Sequence, residues 1–539
     1  MLKNLARYFP LVLCVWGYSS SLAQTSNASL TWGPSYKMRS LGLAEIVSAD
    51  TSSFYTLGSH GIPFLSQKYT FTKWNTQTLA VEWQLEQSAP EVKGKSLRLQ
   101  KSFAVSGCFY TFYTWNDRVN GEYSIVVQKI DREGVLGDLV EVSRSKSRNI
   151  FVKEFDISWS RDSSRFVVLM EPTQRRMEPE YVHISVVDTT LEVEWQKEFS
   201  FDFTESRFDV VDFGVTNKGE VFVLGYTLPD YARGERFAYG KPNRDFILYQ
   251  FVNKNEGVVE VNLGLKDVFL VGGAGIKLDN YQNHLAVYGF FSNRRYSQTD
   301  GGLFITLDQS SLDLNNSSFH YFDEKARAAL LTKSAAKRGR AVRDDYIFRQ
   351  FIRRPDGGSF FVGEDYDFVE VSKTIQSAVD VNTLNYQYDT YYYYDEIIGI
   401  NVNPAGEIES IEVVNKFQLS KNDRGPFSGF VALPTPNGFA YVYNDNKKNF
   451  QWFGSEKRMA VTRNFRQANL VAVEITYRGD VVGEKAYTVI QNNAKARYTP
   501  LPKRGVIIEG SGGDAIIPAV HGQKLSFGRL TFVLDSARQ

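Results

Sequence analysis

Eight times along this chain an apolar, alternating run reaches Asp or Asn, once Thr, and breaks into a short polar turn. The stretches are FTKWNTQT, VVQKIDREG, ISVVDTT, LYQFVNKNEG, LFITLDQSS, GINVNPAG, EITYRGD and LTFVLDSAR. The turns start at Asn75, Asp131, Asp188, Asn253, Asp308, Asn403, Thr476 and Asp535, which are 56, 57, 65, 55, 95, 73 and 59 residues apart. Asp and Asn suit that place because their side chains bond the turn's own backbone. Alternation of period two predicts strands. A unit recurring at this pitch has one face it cannot bury alone, so it must stack on its neighbours. The expected fold is all-β, a single β-propeller of eight blades, with seven as the alternative. The 30 Tyr and 39 Phe agree, since aromatic side chains suit strands.

Each unit divides into four strands. In the third they are FDISWSRD, RFVVLMEP, YVHISVVD and LEVEWQKEFS; in the fourth, VVDFGVTN, EVFVLGYT, RDFILYQFV and VVEVNLG. The turn residue ends the third strand. At Asp535 the last unit has finished its third strand and only four residues follow. ASLTWGPSYK, residues 28–37, precedes the first full unit and carries a Trp, as the fourth strands LAVEWQLEQ and LEVEWQKEFS do (Trp32, Trp83, Trp195). The N-terminal strand is therefore expected to complete the last blade and close the ring, leaving no open edge between first and last blades.

Two units resemble the tryptophan-docking repeats of quinoprotein-like eight-bladed propellers, in which a turn Asp precedes a Trp by about eight residues. Asn75, Thr78 and Trp83 keep the spacing, whereas Asp188 and Trp195 stand one residue closer and Leu79 replaces the usual Gly. The resemblance implies the fold, and envelope scaffolding as the analogy for function. The redox chemistry of that family is not implied, because the cysteines it uses are lacking. DISWSRDSSRF is similar to a blade motif of peptidase and translocation propellers, where Trp159 to Phe166 would pack a hairpin. The later half, from YYYYDEIIGINVNPAGEIESIEVVNKFQ to GFAYVYNDNKKNF, resembles uncharacterised secreted bacterial propellers.

Residues 1–23 read as a secretory signal: Lys3 and Arg7, then the apolar YFPLVLCVWGY, then the small residues Ser21 and Ala23. Eleven apolar residues are too few to span a bilayer, which takes about 20, so the protein is expected to be exported, not membrane-spanning, and to reside in the periplasm or at the cell surface. Leu13 is large where a lipoprotein signal has a small residue, which makes lipidation of Cys14 the lesser alternative. Cleavage after Ala23 leaves Cys108 as the single cysteine, so packing rather than a disulfide must hold the exported chain. Losing Lys3 and Arg7 turns 62 bases against 61 acids into 60 against 61. That balance excludes a field suited to nucleic acid.

Catalytic patterns are sparse. His60, His183, His284, His320 and His521 lack metal-ligand spacing, and HExxH, CxxC and GxSxG are absent. Neither metal nor cofactor is expected. Blades bring distant acids together at the axis, so a paired-carboxylate glycoside hydrolase is the alternative to a non-catalytic binding scaffold.

Strand parity places the insertions. Residues 228–244, 292–300, 364–387 and 444–468 fall between second and third strands, and 323–345 between blades, all on one face of a propeller. Insertions gathered on one face are commonly its binding surface. The connection 323–345 has seven bases and four acids, with helix-forming residues around Ala326 to Ala336. Residues 447–468 hold six bases, one acid and interleaved aromatics, whereas 364–387 hold five acids and one base and are read as a solvated acidic loop. The candidate binding residues are Trp452, Phe453, Lys457, Arg458, Arg463 and Arg466, Tyr391 and Tyr393 of the tyrosine run, and Lys337, Arg338 and Arg340. Basic and aromatic side chains together suit an envelope protein or an anionic glycan. The oligomeric state is not legible.

Overall fold

A computed structural model describes residues 26–38, 44–60, 67–117, 120–146, 152–172, 178–204, 208–227, 246–265, 268–279, 283–293, 298–331, 342, 346–354, 356–376, 384–453, 459–476, 485–490 and 498–534. Among them are eight antiparallel sheets of four or five strands and one two-stranded ribbon, Glu91–Val92 with Lys95–Ser96. Numbered along the chain, sheets 1 to 7 span residues 45–88, 98–146, 152–204, 208–262, 269–321, 346–421 and 430–489. In each, four strands form an up-and-down meander that pairs in sequence order, and in sheet 6 a fifth, Gln418–Lys421, pairs back onto Leu384–Val402. The architecture is that of a β-propeller. No helix of the described residues is long and apolar enough to cross a membrane.

Sheet 8 joins the two ends of the chain. Its strands Ala515–His521 and Lys524–Leu534 are followed in space by Ser26–Lys37, which pairs antiparallel with Lys524–Leu534 in the register Ser26 to Leu534 through Lys37 to Lys524. The N-terminal strand thus adds to the last sheet, as the missing fourth strand required.

The core lies between sheets. Phe360 and Val362 of sheet 6 pack against Phe439 and Tyr441 of sheet 7, while Phe361 between them packs on Tyr288 and Phe304 of sheet 5. Alternation along one strand therefore feeds two cores, which is why RFVVLMEP and HLAVYGFFS are apolar almost throughout. Every successive pair of sheets shares such a cluster, and Phe527 and Ile516 of sheet 8 pack on Phe54 and Trp74 of sheet 1.

Turns and outer strands follow the sequence closely. Asp188 Oδ1 accepts the N–H groups of Thr190 and Glu192, at 2.8 and 2.9 Å, and Asn75, Asp131, Asn253, Asp308 and Asn403 hold their turns the same way. The turn after Thr476 and Asp535 itself lie outside the described residues. Trp83 donates to the Arg132 carbonyl at 2.9 Å and Trp195 to the Gly219 carbonyl at 3.1 Å, so each indole caps a turn of the next sheet. Gly134, at φ +86°, leaves the room the Trp83 ring occupies; a Cβ there would lie 3.1 Å from it. Trp159 packs on Phe166 and Tyr110, in keeping with the hairpin role expected of that motif.

Leu30 carries the N-terminal strand into the core between sheets 7 and 8. Leu30→Ala is expected to lower stability by about 2–4 kcal/mol, the usual cost of emptying a buried leucine site. Urea titration followed by tryptophan fluorescence would measure it.

Candidate functional site

Two of the insertions meet over the outer strand of sheet 6. Between sheets 5 and 6 the chain forms the helix Glu324–Leu330, whose N-cap Asp323 accepts the Ala326 N–H at 2.6 Å and whose Ala326 is buried. The helix is shorter than the stretch expected around Ala326 to Ala336; the residues after Leu331 lie largely outside the described ones. In sheet 7 the insertion leaves the strand Gly438–Asp445 and returns at Asn469–Thr476. Its neck is a buried polar knot. Asp445 accepts Asn449 Nδ2 at 2.7 Å and the Tyr487 hydroxyl at 2.7 Å, while Asn449 binds both the N–H and the carbonyl of Ala460. Burial pushes the Asp445 carboxyl up against those hydrogen bonds.

This knot holds the short helix Asn449–Trp452 so that Trp452, Phe453 and Met459 face Ala326 and Ala329 across a cavity of about 520 Å³. Ile411, Val413 and the buried Glu412 form its floor. Lys485, from the outer strand of sheet 7, reaches Glu412 at 3.1 Å and donates to the Val413 carbonyl at 2.7 Å. Desolvation lowers the Lys485 pKa, and the Glu412 carboxylate opposes that shift. The site is an aromatic-walled pocket of mixed lining, with Lys325, Asn415 and the Glu412–Lys485 pair beside its apolar walls, and of the size that small ligands and side chains occupy.

The expected site residues divide accordingly. Trp452 and Phe453 line the pocket; Arg463 and Arg466 are exposed beyond it. Tyr391 and Tyr393 are part-exposed on the strand Leu384–Val402, with Lys421 lying 5.3 Å over the Tyr391 ring. Lys457, Arg458, Lys337, Arg338 and Arg340 fall outside the described residues. The pocket's Ala326, Ala329, Glu412 and Lys485 were not singled out in the sequence. Ala326 and Ala329 share a face of the helix, a signal that spacing could have given, whereas Glu412 and Lys485 are 73 residues apart and carry none.

The acidic stretch 364–387 is corrected by the structure. It is not a solvated loop: Ser359–Gln376 and Leu384–Val402 are two long strands of one hairpin. β-branched and aromatic residues carry the strand pattern straight through the charges. Glu364 is fully buried, with Lys416 Nζ at 2.9 Å and Arg349 Nε at 2.7 Å. Lys416 also donates to the Tyr394 carbonyl and to Gln418, which in turn donates to Asn444 of sheet 7. The acid looked solvated because its partners lie 15 residues before it and 52 after.

Near the inner strands, Asp212 stands within electrostatic reach of Asp156. Asp212 accepts the N–H of Phe213 at 2.9 Å and that of Ile276, in sheet 5, at 2.8 Å; Asp156 pairs with Lys101. Gln350 makes the corresponding tie from sheet 6 to both the N–H and the carbonyl of Ala432 in sheet 7. These side chains latch neighbouring sheets together.

No family model matches the sequence, and comparison with curated proteins finds no match. Among solved structures, the β-propeller domain of the Trilobed protease from Pyrococcus furiosus is similar over 84% of this chain and 97% of that one, at 10% identity and a TM-score of 0.32. The apocarotenoid oxygenase of Synechocystis is similar over 72% and 74%, at 8% identity and 0.32. The acylaminoacyl peptidase of Pyrococcus horikoshii is similar over 77% and 60%, at 10% identity and 0.29. Likeness this slight carries no argument about the chemistry of this chain.

Two predictions follow from the buried charges. Glu364→Gln strands Lys416 and should cost about 3–5 kcal/mol, whereas Glu364→Leu combined with Lys416→Met should recover most of that loss in denaturant titrations. Burial raises Asp212 to about 6, so the native state holds this proton where the unfolded chain has released it. That contribution to stability is present at about pH 4, declines as pH rises towards 6 and is constant above. Asp212→Asn should flatten this segment of the stability–pH curve.

Proposed function

We propose that this chain is an exported, non-catalytic binding protein of the cell envelope, built as a closed eight-bladed β-propeller and working through its insertion-bearing face. The basic, apolar and small-residue order of residues 1–23 supports export to the periplasm or the cell surface. The eight sheets, the cluster shared by sheets 8 and 1, and the pairing of Ser26–Lys37 with Lys524–Leu534 support closure of the ring. One observation carries the functional reading. Segments more than 100 residues apart, at Ala326 and Trp452, converge to wall a single pocket on the face where the sequence gathers its insertions. An apolar or aromatic group of an envelope protein fits such walls, with the basic residues beside it suited to an anionic surface.

The competing reading, hydrolysis of a glycan by axial carboxylates, has Asp212 in its favour, because a carboxyl raised to about 6 suits a general acid. Its oxygens are engaged by backbone N–H groups of two sheets, an arrangement that serves packing.

Residues 24–539 carrying Ala329→Trp, which fills the pocket, should lose at least tenfold of the envelope partner that the unaltered chain retains in an affinity capture, with an unchanged circular dichroism spectrum. Equal retention by both would overturn the reading. Release of reducing sugar from envelope polysaccharide, abolished by Asp212→Ala, would establish the competing one.

A further inference from the structure

The long hairpin of sheet 6 leaves a strand edge open. Tyr346–Arg353 covers Ser359–Gln376 only as far as Asp365. From Tyr366 to Gln376 that strand pairs with Leu384–Val402 on one side, and has no backbone partner on the other among the described residues. The far side is thickened instead, by Gln418–Lys421 pairing along Tyr391 to Tyr394. Along the open strand Phe368 is 55%, Val369 42% and Val371 40% exposed, so both faces present apolar side chains to solvent. An extended edge of this length and apolarity is a template for another strand, and proteins ordinarily blunt or cover one. A two-stranded arm is also marginal by itself, which gains from a further strand.

We infer that a second copy of this chain covers the edge, strand against like strand, antiparallel about a two-fold axis at Val371 or its neighbour Glu370. A two-fold contact opposes the same strand to itself, so its register is set by which side chains then meet. About Val371, Lys373 lies opposite Val369 of the second copy and diagonal to its Asp367, on the same face, and symmetry makes this contact twice. Diagonal neighbours stand about 7–8 Å apart, within reach of a lysine. Lys373 already holds Asp389 of its own hairpin at 2.8 Å, so it comes to sit between two carboxylates. Glu370 meets Ser372. Shifting the axis to Glu370 would oppose two glutamates but set Lys373 directly opposite Asp367 twice, whereas shifting it to Ser372 would leave Asp367 with no opposite residue within the strand. With the axis at Val371 or at Glu370, Lys373 meets Asp367 of the second copy twice, and the exposed Phe368, Val369 and Val371 are shared between four strands in place of two.

Light scattering coupled to size exclusion, on residues 24–539 over a concentration series, should give twice the protomer mass at the upper end. Hydrogen exchange should find the outward-facing backbone amides of Phe368, Glu370 and Ser372 protected in that species and fast at dilution. Asp367→Lys, an exposed change that leaves the fold intact, should raise the dimer dissociation constant about fivefold or more, from two diagonal charge contacts reversed. Ser372→Pro, which removes an outward-facing donor from the edge, should abolish the dimer while circular dichroism stays native. A protomer mass at every concentration overturns the inference. So does a dimer whose Phe368, Glu370 and Ser372 amides exchange as an open edge, or one that survives Ser372→Pro. Protection of these amides in a monomer only on adding envelope extract would assign the edge to a different protein and overturn it equally.

Discussion

Packing between sheets is the constraint on which everything else in this molecule rests. A four-stranded meander such as residues 152–204 is apolar on both faces: Val168 and Met170 turn towards Phe112 of the sheet before, Val167 and Leu169 towards Tyr249 of the sheet after. Neither face can be left to water, so no sheet is stable alone and each completes the core of two neighbours. With a single cysteine in the described chain, Cys108, this burial has no covalent reinforcement. The polar latches act within that frame. Asp212 and Gln350 fix the height of one inner strand against the next, and Trp83 and Trp195 fix the outer strands against the turns they cap.

The same rigidity lets distant loops make a site. A helix of seven residues and a segment of about one turn would not hold a shape in water. Here the first is seated on the outer strand of sheet 6 and the second is tied at its neck by Asp445 and Asn449. Trp452 and Phe453 are thereby fixed facing Ala326 and Ala329, so the walls of the pocket are ordered by packing within the chain itself. The ion pair of Glu412 with Lys485 leaves Lys325 as the remaining charged side chain of the lining.

Charges were the part of the sequence most open to misreading. EDYDFVEV looks like a solvated run because four of its eight residues are acidic. In the structure Glu364 is buried between Arg349 and Lys416, whereas Asp367 and Glu370 are exposed on the projecting hairpin. Residues three to six apart in one strand thus have opposite fates, decided by where the first strand of the sheet stops at Tyr346.

The sequence by itself determined the repeating unit. Period-two alternation marked the strands, and Asp and Asn marked the third-strand turns; both are local rules of backbone and solvent. What the tertiary structure alone decided is which groups from different repeats touch: Glu364 with Lys416, Asp445 with Tyr487, Ala329 with Trp452. Those contacts join residues 40 to 120 positions apart in the chain, roughly one or two repeats, and no local pattern encodes a distance that only the stacking of sheets sets.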